Sequence, residues 1–185
     1  DIIFSKGGFV SFPVVVAAKL GKVKVILHES DLTPGLANKM LLPFCDSILS
    51  TFKDTEKYIH GNKVSFIGAI VRENITVGNK TKGQNICGFK NKRPILLIMG
   101  GSLGAQSINA AIRNNLNQLL RFFNIIHICG MNNVDVKSNF EGYKQYEFVK
   151  DELPDILAAC DMVISRAGSN AIFEFLQLEK PMLLI

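Results

Sequence analysis

Short apolar runs alternate along the first third of this chain with stretches in which apolar residues recur every three or four positions. The runs have the length of strands, and the intervening stretches have the period of helices. The predicted strands occupy residues 2–4, 23–27, 47–51 and 64–67, and the predicted helices lie near residues 12–20, 34–42 and 54–59. Strands and helices that alternate with short connections are typical of an α/β domain with a parallel sheet.

This pattern stops at Gly68 and begins again at Pro94. Residues 69–93 are rich in Gly, Asn and Lys, so we interpret them as an interdomain linker. Beyond it, strands are predicted at residues 95–99, 125–129, 146–149, 162–164 and 182–185, with helices near 106–121, 132–139, 153–159 and 171–178. Residues 1–68 and 94–185 are therefore predicted to form two Rossmann-like domains. Asp1 and Ile185 both fall inside apolar runs, so we expect an internal piece of a longer protein, with both domains incomplete.

Two predicted strands of the second domain end in small-residue turns that lead into helices. Residues 100–105 read Gly-Gly-Ser-Leu-Gly-Ala, and residues 165–169 read Ser-Arg-Ala-Gly-Ser, in which Ser169 can cap the helix that follows. A helix N-terminus in this position presents backbone N–H groups and attracts phosphate. Glycines also permit tight turns that bind nothing, but two such turns favour phosphate binding. Glu174, one turn into the helix, could accept hydrogen bonds from sugar hydroxyls, which indicates a nucleotide-sugar site.

Two other phosphate-binding motifs fit this sequence poorly. A dinucleotide fingerprint aligned on Gly101 and Gly104 places Met99 where the first glycine belongs, and the next strand ends without an acidic residue for a ribose. No Gly-Lys-Ser or Gly-Lys-Thr follows either turn, so a Walker P-loop is excluded. The sequence therefore predicts no nicotinamide, flavin or other cofactor.

Composition narrows the function classes further. The chain has 185 residues, of which 48% are hydrophobic and 20% charged, and no apolar stretch has the length of a membrane span. Its four cysteines are widely spaced without a C-x-x-C pair, which predicts reduced core thiols, no disulfide and no metal site. The net charge is +5. A basic cluster could favour an anionic membrane surface or nucleic acid, although a solvated linker explains it more simply; its members are Lys80, Lys82, Lys90, Lys92 and Arg93.

Ligands of open parallel sheets bind beyond the carboxyl ends of the strands. In the first domain this rule selects Gly7 and Gly8 after one strand and the pair His28 and Glu29 at the end of the next. His28 is a candidate acid or base, or a donor to phosphate, and the alternative is a structural hydrogen-bonding role. The Thr-Pro-Gly sequence at 33–35 predicts a helix start, with Thr33 as the N-cap and Pro34 in the first position.

Taken together, four segments resemble the MurG family, the transferases that add N-acetylglucosamine from UDP-GlcNAc to lipid-linked muramyl-pentapeptide in peptidoglycan synthesis. The segments are KGGFVS at 6–11, HESDLTPGLAN at 28–38, GGSLGA at 100–105 and SRAGSNAIFE at 165–174. They span nearly the whole chain in the order of the family. The resemblance implies a glycosyltransferase fold of the B type, with an N-terminal acceptor domain and a C-terminal domain for UDP-GlcNAc.

The resemblance also implies roles for individual residues. Glycines 100, 101 and 104 would form the phosphate turn, and Gly7, Gly8, Glu29 and Asp31 would lie on the acceptor side. Asp31 stands where many members have Asn. The general base is not assigned, His28 being the one candidate, and no metal is implied. The implied donor-binding residues are Arg72, Ser102, Val149, Ser169, Asn170, Ala171, Ile172, Phe173 and Glu174.

The family resemblance implies a peripheral enzyme on the cytoplasmic face of the membrane, with UDP-GlcNAc and a lipid-linked acceptor as partners and no nucleic acid. The family's first Gly-rich loop would precede Asp1 and its Gln-rich donor segment would follow Ile185, so we expect this chain alone to have little transferase activity. Two alternatives stay open: another UDP-sugar enzyme of the B type, including an epimerase, and a non-catalytic α/β binding module.

Overall fold

The computed structural model describes residues 1–59, 63–101 and 103–185. The chain forms two compact units, Asp1–Ile70 and Val71–Ile185, and each contains one parallel sheet. This architecture confirms the predicted α/β class with two parallel sheets. No helix in the described ranges is long and apolar enough to cross a membrane.

The first unit is a four-stranded sheet in the order β1-β2-β3-β4. Its core lies between the sheet and the helices, where Val15 of the first helix packs with Val25, Leu27 and Ile48 of the strands. Two short 3-10 segments, Leu42–Phe44 and Lys53–Tyr58, complete the unit. The regular elements are β1 (Ile2–Ser5), α1 (Ser11–Leu20), β2 (Lys24–Glu29), α2 (Leu36–Leu41), β3 (Ser47–Ser50) and β4 (Val64–Phe66).

The second unit is a five-stranded parallel sheet in the order β7-β6-β5-β8-β9, and helices pack against both of its faces. Its elements are a 3-10 segment (Glu73–Val77), α3 (Lys80–Cys87), β5 (Ile95–Met99), α4 (Gln106–Asn114), α5 (Leu116–Leu119), β6 (Asn124–Ile128), β7 (Tyr143–Tyr146), α6 (Leu153–Ala159), β8 (Met162–Ser165), α7 (Ser169–Gln177) and β9 (Met182–Leu184).

The central strand β5 shows why both faces are covered. Ile95 and Leu97 belong to a core cluster with residues of α6 and α7, whereas Leu96 and Ile98 belong to a second cluster with residues of α4 and α5. Successive side chains of a strand point to opposite faces, so a strand that is apolar at every position needs a helical layer on each side.

Much of the segment interpreted as a linker is folded into the second unit. Ile75 and Cys87 are buried in its core, and α3 packs against α6. The Asp155 carboxylate accepts a hydrogen bond from the Asn79 N–H (2.8 Å) and pairs with the Lys82 ammonium (2.6 Å). The hydrophobic pattern contains little sign of this packing because α3 is mostly polar and its contact with α6 is made through backbone, with only a few apolar side chains.

The helix predicted near residues 132–139 does not form. This stretch is an irregular segment held by polar contacts, in which the Gln145 amide donates to the Asp135 carbonyl (2.9 Å) and its oxygen accepts from the Asp135 N–H (3.1 Å). A side chain from the neighbouring strand thus replaces the hydrogen bonds that a helix would have made.

Candidate functional site

The two small-residue turns lie side by side in the second unit. They follow β5 and β8, which are paired in the sheet with Met99 opposite Ser165. Between the turns is a pocket of about 430 Å³ at the carboxyl edge of the sheet. It is lined by Met99, Gly100, Gly101, Ser165, Arg166, Ala167, Gly168, Ala171 and Ile185. Both turns therefore lie at the edge where ligands of open parallel sheets bind.

The glycines of these turns have two different roles. A Cβ on Gly100 would lie 2.4 Å from the Ala105 nitrogen, and one on Gly104 would lie 1.9 Å from the Cys129 carbonyl oxygen, so both glycines are required by packing. A Cβ on Gly101, whose φ is +90°, or on Gly168 would meet no described atom within 4 Å. Of these four glycines, Gly101 and Gly168 leave the backbone of the turn open on the pocket side. Ser102, the predicted donor contact of the same turn, lies outside the described residues.

Helix α7 begins at Ser169, with Gly168 in the N-cap position. The prediction that Ser169 caps this helix is wrong, because Ser169 is already its first residue and no side chain in the described ranges caps the helix. The N–H groups of the first turn have no acceptor within their own helix. Since Ala171 lines the pocket, this N-terminus with its positive dipole end lies at the pocket wall.

Arg72 and Glu174 form a bidentate ion pair in the second unit. The Arg72 Nε lies 2.6 Å from Glu174 Oε1, and Nη2 lies 2.9 Å from Oε2. The Glu174 side chain is 11% exposed and that of Arg72 is 55% exposed, so the carboxylate is held inside and the guanidinium reaches solvent. The hydrogen bond with Glu174 raises the pKa of Arg72. The structure therefore brings together two residues that were predicted separately as donor contacts.

A second, smaller pocket of about 200 Å³ adjoins the first and shares Met99 and Gly101 with it. Its wall is largely apolar, and Val149, a predicted donor contact, is nearly buried in it. An apolar slot with a few polar groups suits a flat heterocycle. The slot is lined by Arg72, Met99, Gly101, Ile128, Phe148, Val149, Lys150 and Leu153.

The carboxyl edge of the first unit is organised by Glu29, which is buried. Its carboxylate accepts hydrogen bonds from the Asp31 N–H (3.0 Å), the Gly35 N–H (3.1 Å) and the Asn38 amide (2.8 Å). Glu29 thus shapes the loop before α2. The prediction that Thr33 caps α2 is wrong, because Gly35 is the N-cap and its N–H is bound by Glu29.

Gly7, Gly8, His28 and Asp31 are found near the ends of β1 and β2. A Cβ on Gly7 would lie 2.6 Å from the Asn38 side-chain oxygen, so Gly7 is required for close packing, whereas Gly8 is open. His28 is 2% exposed, its Nε2 lies 3.3 Å from the Thr51 hydroxyl, and its buried Nδ1 has no partner in the part of the chain that is described. Burial lowers the pKa of His28, and the charge of Lys6 lowers it further. Asp31 is exposed.

Arg166 and Phe148 also lie at the pockets of the second unit, and neither was predicted from the sequence as a specific donor contact. Arg166 is exposed on the wall of the larger pocket, and Phe148 is 56% exposed on the wall of the smaller one. Arg166 lies inside the motif at 165–174, and its position directly after a strand was the available signal. No group of three or more potential metal ligands occurs within residues 1–59, 63–101 and 103–185.

Comparison with known proteins matches each of the two units to a family model. The family model described as "Glycosyltransferase family 28 N-terminal domain" matches residues 1–50, and the one described as "Glycosyltransferase family 28 C-terminal domain" matches residues 95–185. Two curated relatives, from Clostridium botulinum (strain 657 / Type Ba4) and Geobacillus kaustophilus (strain HTA426), are each 54% identical over 186 aligned residues. Both are named UDP-N-acetylglucosamine--N-acetylmuramyl-(pentapeptide) pyrophosphoryl-undecaprenol N-acetylglucosamine transferase. The alignment covers all of this chain and 52% of each relative, so the chain spans about half the length of the curated relatives it matches.

Solved structures show the same fold. MurG from Acinetobacter baumannii superposes with a TM-score of 0.67 at 23% identity, over 100% of this chain and 52% of that one. UDP-GlcNAc 2-epimerase from Neisseria meningitidis, solved with UDP-GlcNAc bound, superposes with a TM-score of 0.69 at 17% identity, over 100% and 58%. These likenesses confirm the predicted B-type glycosyltransferase fold. Since the two family models together match most of the chain and the curated relatives match all of it at 54% identity, the chain belongs to glycosyltransferase family 28, in its MurG group.

Proposed function

We propose that this chain carries the donor-binding part of an enzyme that transfers N-acetylglucosamine from UDP-GlcNAc to lipid-linked muramyl-pentapeptide. The observation that carries the proposal is the arrangement at one sheet edge of the second unit, where two open glycine turns adjoin a pocket and an apolar slot. The curated relatives support the reaction, because their shared name states this transfer and their identity to the chain is 54%.

In this proposal the ribose of UDP binds at Glu174. A carboxylate has about four lone-pair positions, and Arg72 occupies one on each oxygen, so each oxygen can still accept a hydrogen bond from a ribose hydroxyl. The guanidinium has five N–H donors, of which two are used on Glu174, and three stay available for a phosphate oxygen. The ion pair therefore holds both groups in place without using up their capacity to bind.

The diphosphate would lie in the larger pocket and the uracil in the smaller one. At the larger pocket, Gly101 and Gly168 leave room for a phosphate to approach the backbone, and the N-terminus of α7 favours negative charge. At the smaller pocket, Val149 and Phe148 would cover a face of the base. Asn170, Ile172 and Phe173 follow in the first turns of α7, between the phosphate end and Glu174.

The chemical step is a displacement. A hydroxyl of the acceptor attacks the anomeric carbon, the bond between that carbon and the diphosphate oxygen breaks, and the acceptor hydroxyl loses its proton to a base that we do not assign. Negative charge accumulates on the departing UDP, and groups that stabilise this charge more in the transition state than in the bound donor accelerate the reaction. The open turns, the α7 N-terminus and the guanidinium groups of Arg72 and Arg166, which line the two pockets, would supply this stabilisation.

The acceptor side of the proposal rests on the first unit. Gly8 and Asp31 are exposed near the carboxyl ends of β1 and β2, where ligands of parallel sheets bind, and we propose them as acceptor contacts. Glu29 and Gly7 would act indirectly, by shaping the loop and the turn that carry those contacts. Because the proposed acceptor is linked to a lipid, we also propose that the protein binds peripherally to the inner face of the cell membrane.

Titration calorimetry of the purified chain with UDP and UDP-GlcNAc tests the donor site. We expect saturable binding, and Glu174→Ala should weaken it by about 5- to 150-fold, because lost hydrogen bonds to a charged group cost about 1–3 kcal/mol. Glu56→Ala removes an equal charge from an exposed position in the first unit and serves as the control. Unchanged affinity in a folded Glu174→Ala protein would reject the ribose role.

Competition with GDP and other UDP-sugars separates the transferase from other sugar-nucleotide enzymes. If the folded chain bound no nucleotide, the result would favour a non-catalytic module.

A further inference from the structure

A groove of about 770 Å³ in the second unit lies at the amino edge of its sheet, where β5, β6 and β8 begin. The donor pockets lie at the carboxyl edge of the same strands, so this groove is separate from them. We name it the basic groove because three lysines, Lys80, Lys90 and Lys92, line it and are exposed. Their ammonium groups form no hydrogen bond or ion pair with any residue that the structure describes.

Negative charge in the basic groove is scarce. The acidic residue among its lining residues is Asp161, whose carboxylate already accepts a hydrogen bond from the Ile95 N–H (2.8 Å). Lys82, the remaining lysine of this basic cluster, is paired with Asp155, so the fold neutralises one lysine and leaves three without partners among the described residues. Like charges gathered around a concave surface repel one another and focus a positive potential into it.

The backbone that carries these lysines is fixed. The Asn91 side-chain oxygen accepts hydrogen bonds from the Arg93 N–H (3.1 Å) and from the amide of the fully buried Asn124 (2.7 Å). The Arg93 guanidinium donates to the Leu120 carbonyl, so it is used inside the unit. Residues 91–93 are thus tied to the start of β6, and a ligand that meets Lys90 and Lys92 would not have to order a flexible linker, which would cost binding energy.

We propose that the basic groove binds a ligand bearing phosphate groups. Lysine ammonium groups are point charges with three donors each and are common phosphate binders. Gln84 and Asn85, exposed on the same wall, can donate further hydrogen bonds, and Phe89 supplies a half-buried apolar surface beside them. The same chemistry would serve a soluble polyphosphate or the phosphate of a lipid headgroup, and this site is additional to the proposed donor site.

The test uses two probes on the whole chain: inorganic pyrophosphate, titrated with and without saturating UDP, and phosphatidylcholine vesicles with and without phosphatidylglycerol. The variant is Lys90→Ala/Lys92→Ala. The control, Lys24→Ala/Lys137→Ala, removes the same charge from exposed positions outside the groove. UDP is added to fill the proposed donor site, so pyrophosphate binding that persists in UDP and is weakened in the groove variant reports on the groove.

We expect the groove variant to bind pyrophosphate or phosphatidylglycerol vesicles at least about tenfold more weakly than the wild type, since charged contacts are lost, while the control stays within about twofold. The probe that shows this difference identifies the source of the phosphate. The proposal is overturned if the wild type binds neither probe, or if the two double variants lose binding equally, because the effect would then belong to net charge and not to the groove.

Discussion

A single methyl group at Gly168 tests whether phosphate approaches the turn before α7. Gly168 has φ −79° and ψ 130°, a conformation open to every residue, and a Cβ there would meet no described atom within 4 Å. Replacing Gly by Ala at such a position gains about 0.4–1 kcal/mol by restricting the unfolded chain. Alanine is a poorer N-cap than glycine by a similar amount. The free energy of unfolding of Gly168→Ala should therefore stay within about 0.5 kcal/mol of the wild type.

The same methyl group should matter for binding. It would project into the pocket of about 430 Å³, on the side where the backbone is open. A phosphate hydrogen-bonded to this turn would be displaced, and hydrogen bonds to charged groups contribute about 1.5–3 kcal/mol. The dissociation constant for UDP should rise by about ten- to a hundredfold.

The assay combines UDP titration with urea unfolding, and the chain offers a matched control. Gly35 is also a helix N-cap, with φ −62° and ψ 158°, and its Cβ would likewise meet no described atom within 4 Å. Gly35→Ala lies in the first unit and should leave UDP affinity unchanged. Wild-type affinity in a stably folded Gly168→Ala protein would refute the proposed phosphate contact.

Two further predictions concern stability. Gly83→Ala would place a Cβ 1.9 Å from the Asp155 carbonyl oxygen, at the contact of α3 with α6. Overpacking of this kind should lower the free energy of unfolding, measured in urea, by about 1–3 kcal/mol. A decrease below about 0.5 kcal/mol would contradict the close packing. His127 is fully buried, and burial lowers its pKa from 6.5 to about 4. The unfolded chain then takes up a proton that the folded chain does not, so His127 should remove up to about 3 kcal/mol of stability as pH falls from 6.5 to 4, with no contribution above 7. Hydrogen exchange of the β6 amides should show this pH dependence in the wild type and less of it in His127→Gln; equal slopes would contradict it.

The alternation of apolar runs and helical stretches was sufficient to predict both sheets. A strand of a parallel sheet is buried on both faces, so all of its side chains tend to be apolar. Strand β5 is apolar at all five positions and therefore indicates such a sheet. The segment 71–93 was missed for the converse reason. Its contact with α6 depends on glycines that let backbones approach and on the polar groups of Asn79 and Asp155, none of which produces a hydrophobic period.

The candidate site was predictable where it depends on local sequence. Both turns follow strands and precede helices, so the pattern of apolar and small residues was enough to locate Gly101 and Gly168. The Arg72–Glu174 pair joins residues 102 positions apart and leaves no local signal. The predicted cap of α2 was wrong for a related reason. Glu29 is buried six positions before Gly35 and accepts a hydrogen bond from the Gly35 N–H, which is the role expected of Thr33.

The ion pair also distinguishes the roles expected of the two arginines at this edge. Arg72 donates two hydrogen bonds to the negatively charged Glu174, which partly cancels the attraction of its positive charge for a distant anion. The remaining N–H groups of Arg72 can still donate hydrogen bonds to a bound ligand. Arg166, exposed on the wall of the larger pocket, has no such partner among the residues that the structure describes. We therefore expect Arg72 chiefly to orient the donor and Arg166 to contribute the larger share of charge stabilisation as the diphosphate departs. Measured in a longer, active transferase that contains this chain, Arg166→Ala would then lower kcat more than it raises KM, because the contact with the diphosphate becomes stronger as charge develops in the transition state.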